Sequence, residues 1–147
     1  MGASGSGGLG YGPGASVGAA LAHKGTGRIP VALQPDGEML YCATALWTAA
    51  HHRIPLLMVM FNNRTYYNSE IHAINLAAER ERPVETRGVG IFINDPCVDF
   101  AKLAQSQGVY GEGPIESPED IGPALRRALA EVKAGRPALV DIVTQVR

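Results

Sequence analysis

The spacing of apolar and polar residues predicts short buried strands that alternate with helices. Leu56–Phe61 is an unbroken apolar run, which is typical of a central strand covered on both faces. Val31–Leu33 is a second strand candidate, because Pro30 precedes it and the turn residues Pro35-Asp36-Gly37 follow it. Ala138–Thr144 completes the set of predicted strands.

Helical spacing separates these strands. The clearest helix begins at Ser117, which could cap its first turn, with Pro118 at the first helical position. Gly135 and Pro137 end it. The predicted helices are Ala15–His23, Met39–His52, 68–82, Val98–Gln107 and Ser117–Ala134.

Strands that alternate with helices indicate an α/β protein. We therefore expect a three-layer, doubly wound fold with a mainly parallel sheet. The 147 residues suit one domain with a single buried core, and they show no internal repeat. A glycine-rich loop opens the chain ahead of the first helix.

Composition excludes several classes of function. The formal net charge is −1 and the basic residues are scattered, so we expect no nucleic-acid or membrane partner. No apolar run approaches the roughly 20 residues that span a bilayer. Cys42 and Cys97 have neither metal-ligand nor redox-motif spacing. We expect a soluble, cytoplasmic protein with two reduced cysteines.

Polar residues follow two of the predicted strands. Asp36-Gly37 comes after the first strand, and Asn62-Asn63 comes after the apolar run. Ligands of parallel sheets bind at the carboxyl ends of strands. Carboxylate and amide oxygens suit Mg²⁺, which favours few protein ligands together with phosphate oxygens. A glycine and the start of a helix would admit the phosphate itself, so the sequence predicts a site for a diphosphate and a divalent metal.

The spacing of these residues matches a known motif. Asp36-Gly37 and Asn62-Asn63, with 27 positions from Asp36 to Asn63, resemble the Gly-Asp-Gly…Asn-Asn motif of thiamine diphosphate (ThDP) enzymes. The loop Gly7-Gly8-Leu9-Gly10-Tyr11-Gly12 resembles the one that opens the C-terminal ThDP-binding domain of benzoylformate decarboxylase and acetolactate synthase. Ala45-Leu46-Trp47-Thr48-Ala49-Ala50 is similar to the benzoylformate decarboxylase segment inside the motif.

The resemblance covers almost the whole chain and implies a role for each matching position. Mg²⁺ would bind the side chains of Asp36 and Asn63 and the carbonyl of Thr65. The substrate would be a 2-keto acid, and either decarboxylation or acetolactate-synthase-like carboligation would follow. The remaining cofactor contacts would come from Gly7, Gly8, Leu9, Gly37, Glu38 and Tyr66, with Asn68 and His72 lining the substrate pocket.

The chain departs from the family pattern at two positions. Pro35 replaces the first glycine of the motif, which fixes φ and removes an N–H. Glu38 places a carboxylate where several relatives carry a small hydroxyl residue. Metal binding should survive because Asp36 and Gly37 are intact, whereas the diphosphate contacts are open to change.

The resemblance also implies that parts of the site lie outside these residues. In the family, the glutamate that activates the cofactor comes from a pyrimidine-binding domain of a neighbouring subunit. We expect that domain and the middle domain to be absent here, so no catalytic residue is assigned. His51 and His52 end a predicted helix, and a favourable interaction with the helix dipole is a sufficient reason for their position. A homo-oligomer or a partner chain with the missing domain is expected.

Other functions remain open. Gly5-x-Gly7-x-x-Gly10 fits a dinucleotide-binding pattern formally, but that pattern requires a preceding strand, which we do not find. The chain could be one subunit of a split enzyme, or a non-catalytic paralogue that keeps the fold. A C-terminal portion of a longer single-chain enzyme is the interpretation that we favour.

Overall fold

Four parallel strands form one sheet in the computed structural model, which describes residues 8–144. The spatial order is β1-β2-β4-β3, so a crossover connects each strand to the next. Pro35 at the end of one strand lies beside Phe61 of its neighbour. The strands are β1 (Val31–Pro35), β2 (Leu57–Asn62), β3 (Tyr110–Ile115) and β4 (Ala138–Val143).

Helices cover both faces of this sheet. Met58 and Met60 of β2 join one buried cluster with residues of the first, second, third and fifth helices, while Leu57 and Val59 join a second cluster with the sixth. The predicted three-layer α/β fold is therefore confirmed. Among residues 8–144 the helices are α1 (Tyr11–Ala22), α2 (Asp36–Tyr41), α3 (Ala45–His51), α4 (Tyr67–Glu79), α5 (Phe100–Ser106) and α6 (Pro118–Lys133).

Strand β3 was not predicted from the sequence. Its residues, Tyr-Gly-Glu-Gly-Pro-Ile, include two glycines and a proline, which strands generally disfavour. The pairing with β4 is interrupted between Glu112 and Ile115. Gly111 is required by packing, because a Cβ there would lie 2.2 Å from the carbonyl oxygen of Ala101 in α5. Tertiary contacts thus hold this strand in place where local propensity does not.

The predicted helix Met39–His52 was wrong in its extent. The chain forms α2, which begins directly after β1 at Asp36, and then a separate α3. Cys42 breaks the helix with φ −144° and ψ 44°. The loop before α1 packs against this break, where a Cβ at Gly10 would lie 2.9 Å from Cβ of Tyr41. The early helix start matters because it places Asp36 in a first helical turn.

Other helix boundaries also differ from the predictions, most of all at the start of α1 and the end of α4. α1 begins at Tyr11, four residues before the predicted start, after Gly10 adopts a left-handed φ of 82°. α4 ends at Glu79 instead of residue 82, since Glu81 has φ 51° and cannot continue a helix.

The sheet has an open side at β1. This strand lies at the edge of the sheet, and α6 packs against β2, β3 and β4. Val31 and Leu33 are consequently 56% and 63% exposed. Across residues 8–144, no helix combines the length and apolar character needed to cross a membrane.

Candidate cofactor and metal site

The pairing of β1 with β2 brings the two polar strand ends to the same edge of the sheet. Asp36 follows β1 and Asn63 follows β2, while Pro35 and Phe61 are register partners. The backbone N–H of Arg64 donates a hydrogen bond of 2.7 Å to Oδ2 of Asp36. The carboxylate of Asp36 is thus hydrogen-bonded to the backbone of the Asn63–Thr65 turn.

Asp36 is a buried carboxyl group, only 1% exposed. Burial raises the pKa of the Asp36 carboxyl above its ordinary value, although hydrogen bonds from the backbone N–H groups of Gly37 and Arg64 oppose the rise. Burial of a carboxylate without a cation costs free energy, and a bound divalent ion would offset that cost. The electrostatics of Asp36 therefore suit a metal ligand.

Asn63 and Thr65 supply further oxygen atoms beside Asp36. Oδ1 of Asn63 accepts a hydrogen bond of 3.1 Å from the backbone N–H of Thr65, which closes the turn and leaves Oδ1 with a second lone pair. Oγ1 of Thr65 is one of two buried side-chain polar atoms in the described part of the chain that have no hydrogen-bond partner. A buried hydroxyl without a partner is unusual, and a bound ligand could supply the missing hydrogen bond.

This donor set fits a hard cation better than a zinc-type site. Within residues 8–144 there is no group of three His, Cys, Asp or Glu side chains that could hold a metal. The candidate ligands are instead one carboxylate and the oxygens of Asn63 and Thr65. Mg²⁺ accepts such sets when phosphate or water oxygens complete the octahedron. The residues present therefore fit a magnesium diphosphate.

Gly37 provides a close approach at the start of α2. A Cβ at this position would lie 2.3 Å from Cε1 of Tyr66, so the tyrosine ring packs directly on the glycine. The same ring lies 5.8 Å from the ring of Tyr41, measured between centroids. Burial raises the pKa of the Tyr66 hydroxyl, and the neighbouring Tyr41 and Asp36 raise it further. Tyr66 thus forms one wall beside Gly37.

Glu38 faces α1 and not the candidate metal ligands. Its Oε1 accepts a hydrogen bond of 2.9 Å from the backbone N–H of Gly12, in the first turn of α1. This N–H has no partner within the helix, and the carboxylate also faces the positive end of the helix dipole. The carboxylate of Glu38 thus connects α2 to the first turn of α1.

Glu38→Ala should lower the free energy of unfolding by about 1–2 kcal/mol, because it removes this charge-assisted hydrogen bond. Glu38→Gln should cost less than half as much, since an amide oxygen can still accept the bond. Urea denaturation of the full chain measures both values. Equal stability of Glu38→Ala and the wild type would show that the contact with Gly12 contributes nothing.

Pro35 is compatible with its position in the sheet. The N–H of Leu57 donates to the carbonyl of Pro30, so alternate residues of β1 from Pro30 onward face β2. Pro35 falls in the opposite set, whose backbone groups face the open edge. Its missing N–H therefore removes no hydrogen bond of the sheet, as expected for proline in an edge strand.

The glycine-rich loop contributes to a groove beside the site. Gly8 and Leu9 lie at a groove of about 760 Å³ between α1 and β1, and Pro35 and Glu38 also line it. Leu9 is 67% exposed. Gly7 lies outside the described residues. Gly8 and Leu9 therefore lie on the side of Pro35 and Glu38 that faces α1. Gly37 and Tyr66 lie next to Asp36 instead.

Asn68 and His72 lie on α4, which follows the metal-site turn. Both side chains are exposed in the described chain. Neither is joined to Asp36, Asn63 or Thr65 by a hydrogen bond that the structure records. Their assignment to a substrate pocket stays a prediction.

Sequence reasoning overlooked a buried pair beneath this site. Asp141 of β4 is fully buried and accepts a hydrogen bond from Nδ2 of Asn62. The signal that could have revealed it is a single acid inside the apolar strand Ala138–Val143. A buried acid in a central strand requires a partner, and a polar residue at the end of a neighbouring strand can supply one.

Arg64 was also overlooked. It adopts a left-handed φ of 60°, and its guanidinium pairs with Glu116 at 3.0 Å. Arg64→Gly should be more stable than Arg64→Ala by about 1 kcal/mol, because both lose the ion pair but only glycine adopts this φ without strain. Chemical denaturation compares the two variants. If Arg64→Ala proved as stable as Arg64→Gly, the backbone at position 64 would not be strained.

Comparison with known proteins gives a consistent result. Residues 1–142 match the model of the family described as "Thiamine pyrophosphate enzyme, C-terminal TPP binding domain". Benzoylformate decarboxylase of Pseudomonas aeruginosa is 34% identical over 139 residues, which are 95% of this chain and 24% of that protein. A putative acetolactate synthase large subunit, IlvX, of Mycobacterium tuberculosis is 31% identical over 135 residues, which are 92% of this chain and 25% of that protein.

A solved structure shows the same similarity. The Rhodococcus jostii RHA1 thiamine diphosphate-dependent 4-hydroxybenzoylformate decarboxylase superposes with a TM-score of 0.78 and 35% identity, over 97% of this chain and 24% of that one. Benzoylformate decarboxylase from Polynucleobacter necessarius, at 21% identity and a TM-score of 0.70, supports the fold alone. The chain spans about a quarter of the length of the curated relatives that it matches.

Proposed function

The chain belongs to the family of C-terminal thiamine pyrophosphate-binding domains of thiamine pyrophosphate enzymes, and we propose that it binds ThDP through Mg²⁺ in a 2-keto-acid decarboxylase or carboligase. One observation carries the proposal. The buried carboxylate of Asp36 is bonded to the backbone of the Asn63–Thr65 turn at the carboxyl ends of two adjacent parallel strands. This is the edge at which a parallel sheet binds its ligand.

Each residue has a role in holding the cofactor. The side chains of Asp36 and Asn63 and the carbonyl of Thr65 would ligate Mg²⁺, which would neutralise the buried carboxylate. The backbone at Gly37 and Glu38, at the start of α2, would hold the diphosphate. Tyr66 limits the space beside Gly37.

The glycine-rich loop orients the other end of the cofactor. Leu9 would support the cofactor from below, and Gly8 would approach its pyrimidine ring. The bound cofactor would supply the carbanion chemistry that breaks the bond between a 2-keto carbon and its carboxylate. The protein residues would position the cofactor, and Asn68 and His72 would face the 2-keto acid.

The complete active site requires further protein. The activating glutamate is expected from a pyrimidine-binding domain, either of a homo-oligomer or of a partner chain, and this chain supplies about a quarter of a relative's length. Val31 and Leu33 are exposed at the open edge of the sheet. Apolar residues at a sheet edge are usually covered by another protein segment, so their exposure supports a partner domain at this edge. Identity to benzoylformate decarboxylase favours an aryl 2-keto acid as the substrate.

Competition with inorganic pyrophosphate tests the binding mode. If the domain holds the cofactor by its diphosphate, magnesium pyrophosphate should displace ThDP from the full chain, and thiamine without phosphate should not bind. Isothermal titration calorimetry measures both affinities. Tight binding of unphosphorylated thiamine would contradict the proposal.

A non-catalytic paralogue that keeps the fold is the second candidate. Such a protein could bind magnesium ThDP without turning over a 2-keto acid. Assay of benzoylformate and pyruvate decarboxylation, with a pyrimidine-binding domain of a relative added, separates the two. Cofactor binding without turnover would favour the paralogue.

A further inference from the structure

Asp141 is a fully buried carboxyl group in the centre of the sheet, at 0% exposure. Side chains alternate between the two faces of a strand, so Asp141 shares a face with Leu139. Met60 and Asn62 of β2 lie on that same face, since Met60 and Leu139 belong to one core cluster. Nδ2 of Asn62 lies 3.1 Å from Oδ1 and 3.4 Å from Oδ2 of Asp141.

A second group faces the carboxyl group of Asp141. The backbone N–H of Phe100, at the start of α5, lies close enough to lower the pKa of that carboxyl. Burial raises the pKa of the Asp141 carboxyl, and the hydrogen bond from Asn62 opposes the rise. The neighbouring β3 leaves little room for movement, because a Cβ at Gly113 would lie 2.8 Å from Cβ of Asp141. The carboxyl group therefore lies between the amide of Asn62 and the N–H of Phe100.

Asn62 is the residue through which this rigidity reaches the candidate metal site. It is the last residue of β2, and its carbonyl accepts the N–H of Thr144. The next residues form the turn in which Arg64 donates to Asp36 and Thr65 donates to Asn63. The anchored side chain of Asn62 thus lies directly before this turn.

We propose that Asp141 is a positioning residue that orients the Asn63–Thr65 turn by holding the side chain of Asn62. The proposal rests on the proposed function, because it assigns the metal ligands to this turn. Asp141 does not contact the metal in this scheme. It acts as an outer partner of the site, and the loss of such partners typically weakens metal binding about 10–100-fold.

Exchange of the two side chains gives a specific test. In Asp141→Asn, the introduced amide can accept only through its one oxygen, so either Asn62 or Phe100 faces an NH₂ group. The double variant Asn62→Asp/Asp141→Asn restores the pairing, because the amide at 141 can accept from Phe100 and donate to the carboxylate at 62. A residue with a merely space-filling role would show no such rescue.

The experiment uses the full chain and two readouts. Electron paramagnetic resonance measures the Kd of Mn²⁺ in the presence of ThDP, and NMR measures hydrogen exchange of the Arg64 amide without metal. Asp141→Asn should raise the Kd about 10–100-fold and accelerate Arg64 exchange about tenfold. The double variant should return both values to within about threefold of the wild type.

Two further variants isolate the effect. Val140→Ala removes buried volume on the opposite face of β4, so it should lower stability without changing either readout. Asn62→Asp alone places two carboxylates together, so the exchange rate of its Arg64 amide should not equal that of the wild type. The proposal would be overturned if the Arg64 amide exchanged at the same rate in Asp141→Asn as in Val140→Ala. It would also be overturned if the double variant showed the same Kd and exchange rate as Asp141→Asn. Failure of the wild type to bind Mn²⁺ would reject the proposed function, and the exchange data would still decide the positioning role.

Discussion

ThDP with Mg²⁺ is expected to raise the unfolding midpoint of the wild-type chain by about 5–11 °C and that of Asp36→Asn by almost nothing. At ligand concentrations about 100 times Kd, binding contributes about 2.7 kcal/mol, and each kcal/mol shifts the midpoint by about 2–4 °C. Asp36 supplies the charged ligand, so its loss should remove the metal and the diphosphate together. Differential scanning calorimetry measures the shift.

The metal-free proteins provide the control. Because burial raises the pKa of Asp36 in the folded state, its charged form costs stability at neutral pH. The cost diminishes as the pH falls below that raised pKa and is gone below the ordinary pKa of the unfolded chain. Asparagine removes this cost at neutral pH but loses one hydrogen bond, so the free energies of unfolding should agree within about 1 kcal/mol. An equal ligand-induced shift in both proteins would reject Asp36 as a ligand.

Gly37→Ala is expected to leave the fold intact and to weaken the binding of magnesium ThDP at least about tenfold. The added Cβ would lie 2.3 Å from the ring of Tyr66, so the ring must shift. The methyl group and the shifted ring would crowd the approach of the diphosphate, and a loss of about 1.4 kcal/mol of binding free energy corresponds to a factor of ten in affinity. Isothermal titration calorimetry gives the affinity.

Gly14→Ala is the matched control. Gly14 lies in α1, and a Cβ there would meet no atom within 4 Å. Alanine should therefore stabilise the helix by up to about 1 kcal/mol and leave cofactor affinity unchanged. If Gly37→Ala bound the cofactor as tightly as Gly14→Ala, the close approach at Gly37 would have no part in binding.

The sequence predicted that the two polar strand ends lie together because strong local signals mark them. The apolar run Leu56–Phe61 identified the central strand, and the register then brings Asp36 beside the Asn63–Thr65 turn. This step requires only that the two strands are parallel neighbours. The role of Glu38 was not predictable, because its partner Gly12 is 26 residues away.

The remaining differences arise from tertiary contacts. The strand Tyr110–Ile115 has poor strand propensity and exists because it pairs with β4 and packs against α5. The break at Cys42 follows from α2 beginning directly after β1, with Gly10 packed against Tyr41. In the sequence, Asp141 is a single acid among apolar residues, and its partner Asn62 is apparent only from the sheet. Each case depends on contacts between residues that are distant in sequence.

The most direct test of the central claim is native mass spectrometry of the full chain with ThDP and Mg²⁺, beside Asp36→Asn. We expect one ThDP and one Mg²⁺ per wild-type chain, bound only when both are present, and neither on the variant. A folded wild-type chain that retains neither ligand, or that retains ThDP equally well without Mg²⁺, would contradict the claim.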